Sequence, residues 1–161
     1  MNEWAKRLVS YHLWANQQLI NHIKTLPSEV FDTKIESVFP TLSETFGHII
    51  SVDHVWLARL NQERPSQITK QAFKTVKEAD LALSELKTQF ELMFQKEYDI
   101  TRPISYKNTK GESFTQTLFE IVQHLVNHGT YHRGNLAAMI RQLGYQGITT
   151  DYITFLRLKE S

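Results

Sequence analysis

The chain has 161 residues, the size of a single domain that can bury a core without disulfide or metal staples. Its 18 Lys and Arg against 17 Asp and Glu leave a formal net charge of +1, which gives no electrostatic support for nucleic-acid binding. Cysteine is absent, excluding disulfides, zinc–thiolate sites and a cysteine nucleophile. The first residues carry no apolar signal segment and no run is long enough to span a bilayer, so a cytoplasmic protein of one domain, 1–161, is the expectation.

The first helical pattern runs from about Glu3 to Thr25 and is ended by Pro27. Val30, Phe31, Ile35 and Phe39 in the following connection are expected to pack on the helices. Thr41 and Glu44 stand in capping-box relation, and a second helix continues to about Asn61, before Arg64 and Pro65. The third spans about Val76 to Tyr98, with a stripe of Ala79, Leu83, Leu86, Phe90 and Met93. Lys70, Lys74, Lys77 and Glu78 read as a solvated face. From Ile100 the pattern changes. Ile104-Ser105-Tyr106 and Ser113-Phe114 flank a polar segment with Gly111, which predicts a short hairpin or extended crossover. The fourth helix is expected from about Thr115 to Leu143, capped by Gly144, and a short last helix starts near Thr149-Thr150-Asp151 and ends at Leu158. Four long amphipathic helices with one small insert predict an all-α four-helix bundle. The aromatic set Trp4, Tyr11, Trp14, Phe46 and Trp56 is assigned to the core.

The fourth helix carries the chemistry. His124, His128 and His132 recur at four-residue steps, close to one helical turn, so neighbouring imidazoles stack along one side. On a helical wheel His132 lies about 40° from the apolar axis, His128 about 80° and His124 about 120°. His132 therefore points inward, His128 flanks the core and His124 is the weakest ligand candidate. Two such imidazoles and a third from another helix can hold a metal ion with open coordination positions. In the second helix, His48 and His54 fall on opposite flanks at similar angles, and the wheel does not choose between them. His12, His22 and His54 are assigned to boundary or surface positions.

Asp53 lies near the apolar axis of the second helix and needs a partner, such as an imidazole N–H or Arg133. If that partner is a metal-binding histidine, Asp53 orients the ligand. Gly129 costs about 1 kcal/mol relative to Ala in a helix. Close approach of another helix would justify it, and Gly134 invites the same explanation. Gly129 also stands where a His-Glu-x-x-His protease motif needs Glu, so that motif is absent. No Gly-rich phosphate loop or Gly-x-Ser-x-Gly elbow is present.

Taken together, Tyr11-His12-Leu13-Trp14-Ala15-Asn16, Gly47-His48-Ile49-Ile50 with Asp53 and Trp56-Leu57, and His124 through Leu136 closed by Arg141-Gln142-Leu143-Gly144 resemble the DinB-like family. These are DNA-damage-inducible four-helix bundles, related to the YfiT-type proteins regarded as metal-dependent hydrolases. The resemblance covers nearly the whole chain in order. One departure is Asn135, where members often carry Gln. The resemblance implies a metal triad of His48, His128 and His132, a long connection between the second and third helices, and homodimers.

It further implies a divalent-metal-dependent enzyme, with zinc, nickel or iron(II) all suited to imidazole. Related members point to a thiol-dependent transferase using bacillithiol or mycothiol, or to a hydrolase. Transfer is the preferred reading, because the carboxylates Asp53 and Glu44 are weak candidates for the base that hydrolysis requires. The alternative is a non-catalytic metal-binding stress-response protein, which would need a fourth protein ligand such as His124 or Asp53. A small-molecule substrate is expected, with no nucleic acid or membrane partner.

Overall fold

The computed structural model describes residues 3–63, 72–95 and 99–160. Helix α1 spans Glu3–Ile23, followed by a short 3-10 turn at Ser28–Phe31. Helix α2 spans Leu42–Leu60 and α3 Val76–Phe94. Strands β1 (Pro103–Lys107) and β2 (Ser113–Thr117) pair antiparallel, with Ser105 opposite Thr115. Helix α4 then runs Leu118–Gln142 and a last helix α5 covers Tyr152–Glu160. The fold is a four-helix bundle with a hairpin inserted before α4 and a short helix after it. Arg64, Pro65, Lys70 and Tyr98, which the sequence placed beside helix ends or on a solvated face, lie outside the described residues.

Local chemistry sets the boundaries. Thr41 and Thr75 cap α2 and α3, each hydroxyl accepting from the amide three residues on, at 3.1 Å from Glu44 and 3.2 Å from Glu78. The start of α4 differs from the sequence expectation of about Thr115. Thr115 to Thr117 complete β2, and the helix begins where Thr117 and Glu120 form a reciprocal capping box. The Thr117 amide donates to Glu120 Oε2 at 2.7 Å and the Glu120 amide to Thr117 Oγ1 at 3.2 Å. At the other end Gly144 adopts φ +88°, the left-handed conformation that stops the helix after Leu143.

Each long helix has two principal neighbours. Helices α1 and α2 each pack on both α3 and α4, so α1 and α2 stand on one diagonal of the bundle and α3 and α4 on the other. The core is formed by Leu19, Ile20, Leu42, Phe46, Ile49, Leu60, Leu83, Leu86 and Phe90, all essentially inaccessible to solvent. Val30 and Phe31 are buried as expected, and Ile35 and Phe39 are half-buried. Of the aromatic set, Tyr11 and Phe46 are buried, and Trp14 and Trp56 partly so. Trp4 departs from its core assignment. It is 40% exposed and stacks on Phe119 at 5.0 Å, because the first turn of α1 reaches the bundle's end, where one ring face stays in solvent. Among the described residues no helix is long and apolar enough to cross a membrane.

Candidate metal centre

Adjacent packing of α2 and α4 brings His48, His128 and His132 together. His48 Nε2 lies 3.2 Å from His128 Nε2, and His132 Nε2 lies 3.1 Å from the same atom. Three nitrogens thus converge on one point. Tetrahedral coordination at imidazole bond lengths of about 2.0–2.1 Å places ligand nitrogens about 3.3 Å apart, close to the separations here. The three residues form a group that can hold a metal ion. His48 and His128 are half-buried and His132 is buried, so the cluster is partly shielded from solvent.

The electrostatics keep these imidazoles neutral, the form that donates a lone pair. Burial pushes His128 from an ordinary 6.5 down to about 3, helped by the neighbouring His132 and His48. Burial and His48 likewise hold His132 down at about 4, and burial lowers His48 against the opposing pull of Asp53. A half-buried cluster of like groups would be an electrostatic liability if protonated. A cation in its centre removes that conflict.

Aromatic rings frame the cluster. The backbone amide of Ile35 donates to the carbonyl of Pro40 at 2.9 Å and closes the loop that carries Phe39. The Phe39 ring sits 4.8 Å from His48 and 5.7 Å from His132, and Tyr131 meets His132 edge-on at 4.9 Å. On the opposite side His124 is 5.8 Å from the His128 ring and 4.9 Å from Trp56. His124 lies outside the convergent group, as does Asp53. Nδ1 of His128 and Nδ1 of His132 are buried and have no hydrogen-bond partner among the described residues. The sequence offered Asp53 for that orienting role, and the structure places it elsewhere.

Asp53 is fully buried and accepts from His12 Nε2 at 2.7 Å. This corrects the surface assignment of His12, which is 1% exposed. The signal was present in the sequence. His12 lies four residues after Leu8 and seven before Leu19, on the buried face of α1, and Asp53 required an imidazole. His22 is half-buried, a boundary position as expected, and its Nε2 donates to the Gln146 carbonyl at 2.7 Å. His54 is half-buried and stands apart from the triad, so helix packing separates the two flanks that the wheel left equivalent.

The DinB family model matches residues 1–161. The chain is 34% identical over 164 residues to Protein DinB of Bacillus subtilis strain 168, covering 97% of this chain and 95% of that one. The chain belongs to the DinB family. The fold also matches a DinB-like protein from Bacillus cereus ATCC 10987 with a TM-score of 0.73 at 19% identity, over 92% of this chain and 96% of that one. Membership makes the bundle expected. The cluster of nitrogens between α2 and α4 is this chain's own geometry.

Proposed function

We propose that this DinB-family protein binds one divalent metal ion through Nε2 of His48, His128 and His132, and uses it as an enzyme acting on a small molecule. The convergence of two neutral imidazole nitrogens to within 3.2 Å of a third, His128 Nε2, carries this reading. A divalent ion held there supplies Lewis acidity, and three protein ligands leave a position for a substrate atom. Zinc, nickel and iron(II) are all compatible with the ligand type.

Thiol-dependent transfer is favoured over hydrolysis by one observation. A hydrolase needs a carboxylate or imidazole free to take a proton from water. Asp53 is sealed from solvent and bonded to His12, so it does not serve. Transfer from a low-molecular-weight thiol asks less of a protein base, because a thiol whose pKa is lowered beside a metal gives its proton to solvent and attacks as the thiolate. The chain's part is then to present an open ligand set, with Phe39 and Tyr131 on one side and Trp56 on the other as aromatic walls for an electrophile, and His124 as a polar group beside Trp56.

The test is metal content by mass spectrometry on untagged protein, wild type beside His48→Ala, His128→Ala, His132→Ala and His124→Ala. About one equivalent is expected in wild type and in His124→Ala, with near-complete loss in the other three. Equal loss in all four variants would show that the ligand set is wrong. The non-catalytic alternative predicts unfolding on chelation, since structural sites contribute folding energy directly.

A further inference from the structure

Behind the three histidines lies a second buried cluster, which crosses the bundle's diagonal. His12 on α1 meets Asp53 on α2 at 2.7 Å, although these helices are not principal neighbours. Arg133 on α4 closes the arrangement, its Nη1 lying 3.3 Å from His12 Nδ1 and donating to Asn16 Oδ1 at 3.1 Å. A guanidinium has only donors, so Nδ1 of His12 accepts and Nε2 carries the proton donated to Asp53, with Asn16 Nδ2 beside it at 3.2 Å as a contact between two donors. Nη2 of Arg133 donates to Thr130 Oγ1 at 2.9 Å, and Thr130 in turn donates to the Val126 carbonyl. Tyr11 extends the cluster by donating to the Thr150 carbonyl at 2.9 Å, just ahead of α5.

The placement of this cluster relative to the triad is systematic. Gly129 directly follows His128, and Arg133 directly follows His132. Both lie one turn apart on the face of α4 turned toward His12. A methyl group at Gly129 would overlap the His12 imidazole and stand 2.7 Å from Arg133 Nη1. On α2, Asp53 follows His48 by five residues. Each helix that presents a triad histidine is therefore held, within about a turn of it, by the same three-residue contact.

We propose that Asp53, His12 and Arg133 act as a brace that positions the three histidines for metal binding, with Gly129 providing the clearance for it. They are positioning residues and touch no metal or substrate. A ligand set works only if its donors are held to about 0.5 Å, and two ligand helices joined only by apolar side chains can slide by more than that. A charged, hydrogen-bonded contact fixes register because it is satisfied in one arrangement. The brace presupposes that the triad binds metal.

The experiment uses purified full-length protein loaded with Co(II). It compares Asp53→Asn, His12→Gln and Gly129→Ala with Leu83→Ala, a core truncation on α3, which carries no triad residue. Three quantities are read: Co(II) affinity by chelator competition, the ligand-field absorption bands, and the melting temperature of the metal-free protein. The brace variants are expected to bind Co(II) at least about tenfold more weakly, with shifted bands. Leu83→Ala should lower the melting temperature while leaving affinity and spectrum as in wild type. Adding Gly129→Ala to His12→Ala should cost little further affinity, since the colliding ring has gone and only the flexible end of Arg133 must shift. Folded brace variants with wild-type affinity and spectrum would overturn the proposal and leave the metal site standing. A wild type that takes up no Co(II) would overturn both. Should a brace variant fail to fold, Arg133→Lys replaces it, keeping the charge while losing the two-nitrogen reach.

Discussion

Two clusters of polar side chains share α2 and α4, a few residues apart, and they follow opposite rules. In the first, His12 bonds to the Asp53 carboxylate on one side and to Arg133 on the other, and Arg133 also donates to Asn16, deep in the bundle. In the second, His48, His128 and His132 are alike, carry no counter-charge, and direct the same atom to the same point. The first cluster is held together within the chain, although Asp53 Oδ1 and Arg133 Nε stay without a hydrogen-bond partner among the described residues. The second gains only if something electron-poor occupies its centre, and its two buried Nδ1 atoms have no partner in the described chain. Burial alone does not separate the two, since His132 is nearly as buried as His12. What separates them is that the first joins unlike groups, carboxylate, imidazole, amide and guanidinium, whereas the second turns three like nitrogens on one another.

The largest expected effect comes from breaking the first cluster. Asp53→Ala leaves Arg133 buried beside a histidine that has lost its acceptor, and removing one partner of a buried charged contact typically costs about 3–5 kcal/mol. Urea unfolding of the metal-free protein should show a loss of that order. A loss below about 1 kcal/mol would mean that the cluster is already hydrated and that the contrast between the two sites is overstated. Truncating the open cluster should behave differently. His128→Ala removes a desolvated group whose Nδ1 is unpaired, so the metal-free variant should be about as stable as wild type while binding no metal.

Acid should distinguish the clusters next. His128 and His132 titrate near 3 and 4 in the folded chain against an ordinary 6.5. The unfolded chain therefore binds more protons between these values, and stability falls as pH drops from about 6.5 toward 3. Each such proton contributes a slope of up to about 1.4 kcal/mol per pH unit. The metal-free wild type should thus lose stability between pH 7 and pH 5 more steeply than a His128→Ala/His132→Ala double variant. Parallel pH profiles would show that the folded triad protonates as freely as the unfolded chain does.

How much of this was legible in the sequence follows from which interactions are local. The α3 stripe from Ala79 to Met93 is the set buried in the structure, and the hairpin flanks and the Gly144 cap are where turn chemistry put them. The inward tilt of His132 relative to His128 also came from a single-helix wheel, because it depends on one helix's own face. Readings that depend on several helices were less secure. His12 was placed at a boundary or surface position because histidine usually is, whereas Asp53 and Arg133 supply partners from two other helices. The start of α4 was missed by three residues. Thr115 to Thr117 suit either a strand or a helix approach, and the Thr117–Glu120 box that decides between them was the unread signal. His48 could be chosen over His54 only through the family resemblance, since the side of α2 that meets α4 is a property of packing.

The smallest predicted effect concerns two glycines that look equivalent in the sequence. Both lie inside α4, and close helix approach was expected to explain each of them. The structure supports that only for Gly129, where a methyl group would collide with His12. Gly134 is exposed, has open space where a Cβ would stand, and has ordinary helical backbone. Its cost to the helix is then uncompensated by packing, and Gly134→Ala should raise stability by about 0.5–1 kcal/mol through helix propensity and a less flexible unfolded chain. Metal binding should be unchanged, because residue 134 lies on the outer side of α4. Gly129→Ala, the same chemical change five residues earlier, should lower both stability and metal affinity. If Gly134→Ala instead destabilises the protein, the exposed face of α4 is covered by something in solution. A second copy of the chain would then be the first candidate, and a fall in the apparent molecular mass of the variant would show it.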